Sequence, residues 1–318
     1  MIYFSTMNDV FKRIESIGVL PVVKITSAGD SENLAASLLA GDLPAVEITF
    51  RTDAAAESIA RIRKKFPDIL IGAGTVLTPD QVDSAVDAGA EFIVAPGFNP
   101  RIAVYCAKLE IPYIPGVNSP SQIELAMEHG LNVFKFFPAE AMGGIKMLKS
   151  LAGPYPGLRF IPTGGISPDN LLGYLSLPSV LACGGSWISP SAMISEGRFD
   201  DIAKIASRTV SDILGFHLSG VSLGSTDQNA AEPVLDFFAS TFLLNKNETA
   251  NTFNAGTMIE IEKKKQNYST GLILKVNSIL RVKAFLDRKK VGYIQNEEKE
   301  IILDERKSGF VIKLRQEE

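Results

Sequence analysis

The sequence predicts an α/β protein: a (β/α)8 TIM barrel over residues 1–215, followed by a smaller α+β domain over residues 216–318. Three observations carry this. Eight short apolar runs, each followed by a helical pattern, occupy the first part of the chain. Charge changes near residue 215: residues 1–215 hold 17 Lys+Arg against 22 Asp+Glu, and residues 216–318 hold 15 against 14. Texture changes at the same place, since proline all but disappears, turns become Asn-rich and Lys263-Lys264-Lys265 appears. A length of 318 residues also suits two domains.

The apolar runs are Val19–Ile25, Ala45–Phe50, Leu70–Val76, Phe92–Gly97, Pro112–Val117, Val133–Pro138, Arg159–Gly165 and Ser179–Trp187. Such runs read as strands buried on both faces, as in a parallel sheet. Thr78-Pro79-Asp80-Gln81 and Ser119-Pro120-Ser121-Gln122 are capping boxes with Pro at the first helical position, and Ser167-Pro168-Asp169-Asn170 is a variant. Eight βα units in this length predict a barrel. The alternative is a doubly wound sheet, which commonly opens with a Gly-rich phosphate turn after its first strand. Here that place holds Lys24-Ile25-Thr26-Ser27. FDDIAKIASRTVSDIL reads as a helix stopped by Gly215.

Composition excludes several classes. Hydrophobic residues make up 46% and charged residues 21%, so the chain is neither disordered, collagenous nor a coiled coil. No apolar run is long enough for a membrane-spanning helix, and the first eighteen residues lack the basic-then-apolar pattern of a signal peptide. Two cysteines, Cys106 and Cys183, form no motif, which fits a reducing cytoplasm. With only His129 and His217, a site of several histidine ligands is impossible. A net charge of -4 argues against nucleic acid as the main partner.

Chemistry in a parallel barrel gathers at the C-terminal strand ends. Strand side chains alternate, so Glu47, Thr49 and Arg51 share one face of AVEITFR and Val46, Ile48 and Phe50 the other. The apolar set suits the helices, leaving the polar set for the interior. A Glu47–Arg51 pair that only closes the barrel is the alternative to a catalytic Glu47. In VFKFFP, Lys135 lies on the interior face with Val133 and Phe137. Burial disfavours an ammonium relative to the free amine, and a free amine attacks a ketone to give a Schiff base. The alternative is a structural Lys135–Glu47 bridge.

Thr163-Gly164-Gly165-Ile166 and Gly184-Gly185-Ser186 end strands seven and eight, where such barrels hold phosphate. Glycine lets backbone approach a ligand. Thr75, in Gly72-Ala73-Gly74-Thr75, either binds a carboxylate or satisfies a strand end. Lys24 is a further anion candidate. His129, at a helix C-terminus, and both cysteines carry no expected function.

VEITFRT, GAGTVLTP, PGFNP, IPGVNSPSQ, FKFFPAEAMGG, PTGGISPDN and GGSW closely resemble the 2-keto-3-deoxy-6-phosphogluconate aldolases, also called 2-keto-4-hydroxyglutarate aldolases, over residues 8–213. The resemblance implies a class I aldolase (a lyase of the Entner–Doudoroff pathway), usually a homotrimer, with no metal or other cofactor and neither nucleic acid nor membrane as partner. It implies Lys135 as the Schiff-base lysine and Glu47 as the acid/base. It gives Arg51 and Thr75 the pyruvate end, and Thr163, Gly164, Gly165, Gly185 and Ser186 the phosphate. It also makes Pro96 and Phe137 pocket walls. Relatives often carry Arg at the place of Lys24. The 6-phospho-2-dehydro-3-deoxygalactonate aldolases share much of this pattern.

Residues 216–318 read as two βαβββ units: FHLSGVSL, helix EPVLDFFASTFL and strands ending in TMIEIEK, then GLILKV, helix SILRVKAFLDRKKVG, YIQNEE, EIILDE and GFVIKLR. This order resembles the vicinal-oxygen-chelate, glyoxalase-like family, whose metal ligands sit on the first and last strands of each unit. Here those places offer His217 and Glu260 or Glu262, then Leu272 or Ile273 and Lys313. No catalytic metal is expected. Two other readings of the whole compete with the aldolase: a sensor with a dead barrel that binds a phosphorylated sugar acid, and another phosphate-binding barrel such as an isomerase.

Overall fold

The computed structural model describes residues 2–225, 245–247, 252–254, 258–263, 270–303 and 311–316. The chain forms two compact units, Met1–Val210 and Ser211–Glu318.

In the first unit the parallel strands are β1 (Val19–Val23), β2 (Ala45–Thr49), β3 (Leu70–Gly74), β4 (Phe92–Val94), β5 (Tyr113–Ile114), β6 (Gly116–Val117), β7 (Val133–Phe136), β8 (Arg159–Pro162) and β9 (Cys183–Gly185). β1 to β5 pair in sequence order, as do β6 to β8, and β9 pairs back onto β1. β5 and β6 are halves of one expected strand, broken at Pro115. Proline gives no N–H to a ladder, but the Pro115 carbonyl still accepts from the Lys135 N–H at 2.9 Å. Bridges Phe160↔Val180 and Thr163↔Gly184 join β8 to β9, closing the expected eight-position ring.

The last strand is shorter than Ser179–Trp187 for a local reason. The Leu181 N–H donates to the Phe160 carbonyl, whereas the Cys183 N–H donates to the Gly18 carbonyl. The segment thus hands its bonds from β8 to β1 midway.

Three helices after strands start at the expected residues, but the first two are not full capping boxes: Thr78 Oγ1 accepts from the Gln81 N–H at 3.2 Å, whereas the Ser119 side chain makes no cap bond. Gln81 and Gln122 each reach past the cap, accepting from the Leu77 and Asn118 N–H groups at 2.7 and 2.8 Å. The shorter Asn170 accepts from the Ser167 N–H at 2.9 Å.

A helix over Ile2–Ile17, unanticipated from the strand–helix alternation, precedes β1. Its buried Val10, Ile14 and Ile17 fall at i, i+4 and i+7, one helical face. Arg13 reaches the Asp68 carbonyl at 3.0 Å and Glu91 at 2.5 Å, and Glu15 meets Arg159 at 2.5 Å. Those partners precede β3 and β4 or open β8, so the helix covers the N-terminal end of the ring. The chemistry is left to the opposite end.

The second unit is one sheet in the order β11-β12-β13-β10-β14-β17-β16-β15. Its strands are β10 (His217–Ser225), β11 (Asn245–Asn247), β12 (Thr252–Asn254), β13 (Met258–Lys263), β14 (Thr270–Val276), β15 (Tyr293–Glu297), β16 (Glu300–Leu303) and β17 (Val311–Gln316). β10 and β14 meet antiparallel at the centre, and each pairs in parallel with the last strand of its own set. Two like four-strand sets result. In the second, helix Ile279–Arg288 completes βαβββ. The expected helix EPVLDFFASTFL lies outside the described residues. No helix among the described residues is long and apolar enough to cross a membrane.

Candidate active site

Glu47 lies on β2 and Lys135 on β7, strands that are not neighbours, yet Lys135 Nζ stands 3.3 Å from Glu47 Oε1. Only the barrel interior allows such a contact. Both are buried, Glu47 at 2% and Lys135 at 6% exposure. The alternation that put them inward therefore holds on both strands. On the opposite face of β7, Phe134 meets Phe160 of β8 with ring centroids 6.1 Å apart. Lys135 Nζ also lies 5.5 Å from the Phe137 ring centroid, so the amine has an aromatic wall on its own face.

Glycines make room for this pair. A Cβ on Gly74 would fall 2.1 Å from Glu47 Oε1, so the carboxylate occupies space that a side chain on β3 would fill. Gly72 is the register partner of Glu47, and its missing side chain leaves space for the Phe92 ring. Gly116 sits beside Lys135 in the ladder, and its Cβ would strike the Pro96 carbonyl at 2.0 Å. The sequence pattern alone assigns these three glycines no such role. The signal was there in glycines interrupting apolar strand runs, which marks close approach.

Arg51 does not pair with Glu47, which removes the alternative of a closing ion pair. Its Nε donates to Thr49 Oγ1 at 3.1 Å, and Thr49 donates to the Val23 carbonyl at 2.7 Å. This hydroxyl relay, absent from the expectation, holds an exposed guanidinium at the C-terminal end of β2. Thr75 follows β3 with φ 57, in the left-handed region. A β-branched residue there costs roughly 1–3 kcal/mol, strain that clusters at functional sites.

At the ends of β8 and β9, Gly164 and Gly165 have φ 95 and 83, conformations that demand glycine. A Cβ on Gly184 would lie 2.2 Å from Thr163 Oγ1, so the buried Thr163 hydroxyl depends on that glycine. A Cβ on Gly185 would meet the Trp187 ring at 2.7 Å. Ser186, Pro96 and Lys24 are exposed just beyond β9, β4 and β1. The structure thus joins Glu47, Lys135 and Phe137 by direct contact, and Thr49 with Arg51. The other expected residues stand at strand ends without a side-chain bond to the pair. In the second unit, Ile273 and Lys313 are register partners, while Glu260 and Glu262 have side chains outside the described ones. Among the described residues no three His, Cys, Asp or Glu gather as a metal site would require.

Residues 10–205 match the family of KDPG and KHG aldolases. The chain belongs to that family. Its relatives include the 2-dehydro-3-deoxy-phosphogluconate aldolase of Treponema pallidum (strain Nichols), 47% identical over 204 residues. That match covers 64% of this chain and 97% of the relative. The corresponding enzyme of Haemophilus influenzae is 44% identical over 209 residues, 66% of this chain and 98% of its own. Among solved structures, a Legionella pneumophila KDPG aldolase carries pyruvate captured at low pH as a covalent carbinolamine intermediate. It superposes with a TM-score of 0.61 at 41% identity, over 63% of this chain and 97% of that one. These aldolases are nearly used up by the match, so they have no room for a counterpart of the second sheet.

Proposed function

We propose that the barrel is a class I aldolase that cleaves 2-keto-3-deoxy-6-phosphogluconate to pyruvate and glyceraldehyde 3-phosphate, and 4-hydroxy-2-oxoglutarate to pyruvate and glyoxylate. The observation that carries this is the buried Lys135–Glu47 contact at 3.3 Å beside the Phe137 ring. A binding protein needs neither an interior amine nor a carboxylate within its reach, and an isomerase does not require a lysine in this place.

Each step falls to a residue of this chain. The Lys135 amine attacks the C2 ketone, and loss of water from the carbinolamine gives an iminium. Glu47, directly or through one water, takes the proton of the C4 hydroxyl. The C3–C4 bond breaks, its electrons pass into the enamine, and the aldehyde leaves. The enamine is protonated at C3, and hydrolysis of the iminium frees pyruvate and Lys135. A placed acid/base contributes about 10²–10⁴-fold.

Arg51 and Thr75 hold the carboxylate end. Pro96 and Phe137 line the pocket, and Lys24 adds charge at its rim. Thr163, Gly164, Gly165, Gly185 and Ser186 cradle the phosphate. All of this lies within residues 1–215, and residues 216–318 form an accessory, glyoxalase-like domain without a catalytic metal. Family resemblance supports a homotrimer. Cys106 and Cys183, both buried thiols, fit a reducing cytoplasm.

Pyruvate release from each substrate and from the C4 epimer, 2-keto-3-deoxy-6-phosphogalactonate, tests the reading. The gluconate acid is expected to turn over fastest. Binding of phosphorylated acid without pyruvate release would favour a dead-barrel sensor, and faster release from the epimer would reassign the substrate.

A further inference from the structure

The turn after β8 is fixed through its carbonyls. The Thr163 carbonyl accepts from the Ala139 N–H at 2.8 Å, and the Gly164 carbonyl from the Glu140 N–H at 3.0 Å. The Gly165 carbonyl accepts instead from a side chain, Asn170 Nδ2, at 3.1 Å. In a planar trans peptide the C=O and the following N–H point in opposite directions. Fixing these three carbonyls therefore fixes the directions of the Gly164, Gly165 and Ile166 N–H groups.

Asn170 suits this task by its length. Gln81 and Gln122, at the matching place in two other helices, extend past the cap to the Leu77 and Asn118 N–H groups. The Asn170 amide is one methylene shorter. Its oxygen stays over the Ser167 N–H at 2.9 Å, and its nitrogen is left to hold Gly165. On the other side, Glu140 fills the space against Gly165, where a Cβ would meet its Cβ and Cγ at 2.6 Å. The buried Tyr174 hydroxyl donates to Glu140 Oε1 and holds it in place.

We propose that Asn170 is a positioning residue, which aims the backbone N–H groups after β8 at the phosphate of the substrate and so sets the preference for phosphorylated acids. Glu140 and Tyr174 back the same turn. This rests on the substrate reading above. Asn170 touches no reacting atom, and its effect belongs to KM for one class of substrate.

The test compares Asn170→Ala and Asn170→Asp with the wild type on both substrates, with inorganic phosphate as a competing probe. Asn170→Asp keeps the acceptor for Ser167, and its charge suits the first turn of a helix. Asn170→Ala removes the donor without adding charge. Both are expected to raise KM for the phosphorylated acid, and weaken inhibition by phosphate, about tenfold, the scale of one hydrogen bond. kcat and the KM for 4-hydroxy-2-oxoglutarate should stay as they are. An effect in Asn170→Asp alone would be mere charge repulsion and would overturn the proposal, as would equal loss on both substrates. A wild type that neither cleaves the phosphorylated acid nor responds to phosphate would overturn the substrate reading itself. A phosphate-sensitive wild type matched by Asn170→Ala would overturn the positioning role alone.

Discussion

Each unit of the chain buries a carboxylate beside a cation, and the two pairs are built differently. In the second sheet, Glu300 and Arg315 are register partners on adjacent strands. Glu300 Oε2 accepts from Arg315 Nε at 2.7 Å and Nη2 at 2.6 Å, and Glu300 Oε1 accepts from Asn296 at 2.6 Å. Both oxygens are satisfied, Oε2 by two guanidinium nitrogens and Oε1 by the Asn296 amide, and charge-assisted bonds of this kind are strong. In the barrel, Glu47 and Lys135 come from strands across the ring and meet through a single 3.3 Å contact, in space kept open by Gly74. A saturated pair between neighbours is suited to holding a sheet. A single loose contact across the ring leaves an amine and a carboxylate with unused capacity, which a substrate can take up. Burial alone does not separate the two cases, since Glu47 and Glu300 are exposed by 2% and 3%.

The contrast can be broken by substitution, and the largest effect belongs to Lys135→Met. Cleavage should fall to background while the fold persists, because Met fills similar apolar volume. Leaving Glu47 buried without its cation should cost about 3–5 kcal/mol in chemical denaturation, and adding Glu47→Gln should return part of that loss. Turnover by Lys135→Met would make the barrel pair structural after all. Glu47→Gln alone keeps the shape, so kcat should drop about 10²–10⁴-fold with substrate still bound. Gly74→Ala pushes on the carboxylate from β3 and should cost about 1–3 kcal/mol of stability together with kcat. An unchanged kcat in that variant would mean that the glycine serves only packing. Glu300→Gln should lower stability by a similar amount, about 1–3 kcal/mol, since Arg315 is partly solvated, but leave kcat untouched. The smallest effect is expected from ending the chain at Ile213. The shortened protein should fold and cleave both substrates, because every residue assigned to the chemistry precedes Trp187. Loss of cleavage there would show that the second unit takes part.

The same contrast explains what the sequence could say beforehand. Glu47 and Lys135 were legible because a period-2 strand leaves a charged residue inside an apolar run only two faces, and the helices claim one. In the second unit, the strands and the helix Ile279–Arg288 of its second set were legible from the same periodicity, but the paired charges were not. Glu300 and Arg315 meet only through a register that depends on how β16 and β17 turn. In the barrel, the relay from Arg51 through Thr49 to the Val23 carbonyl and the left-handed backbone of Thr75 are likewise properties of neighbouring strands and dihedrals. The break at Pro115 was visible as a proline, but its effect depends on which partner loses a bond. Helix Ile2–Ile17 lay outside the strand–helix alternation, so only its i, i+4, i+7 spacing could have revealed it.

Trapping decides most directly whether the interior amine is the nucleophile. Borohydride reduction in the presence of pyruvate, followed by intact mass and peptide mapping, should show one covalent adduct per chain, on Lys135, and none in Lys135→Met. An adduct on another lysine, or none in a protein that still releases pyruvate from its substrate, would contradict the account.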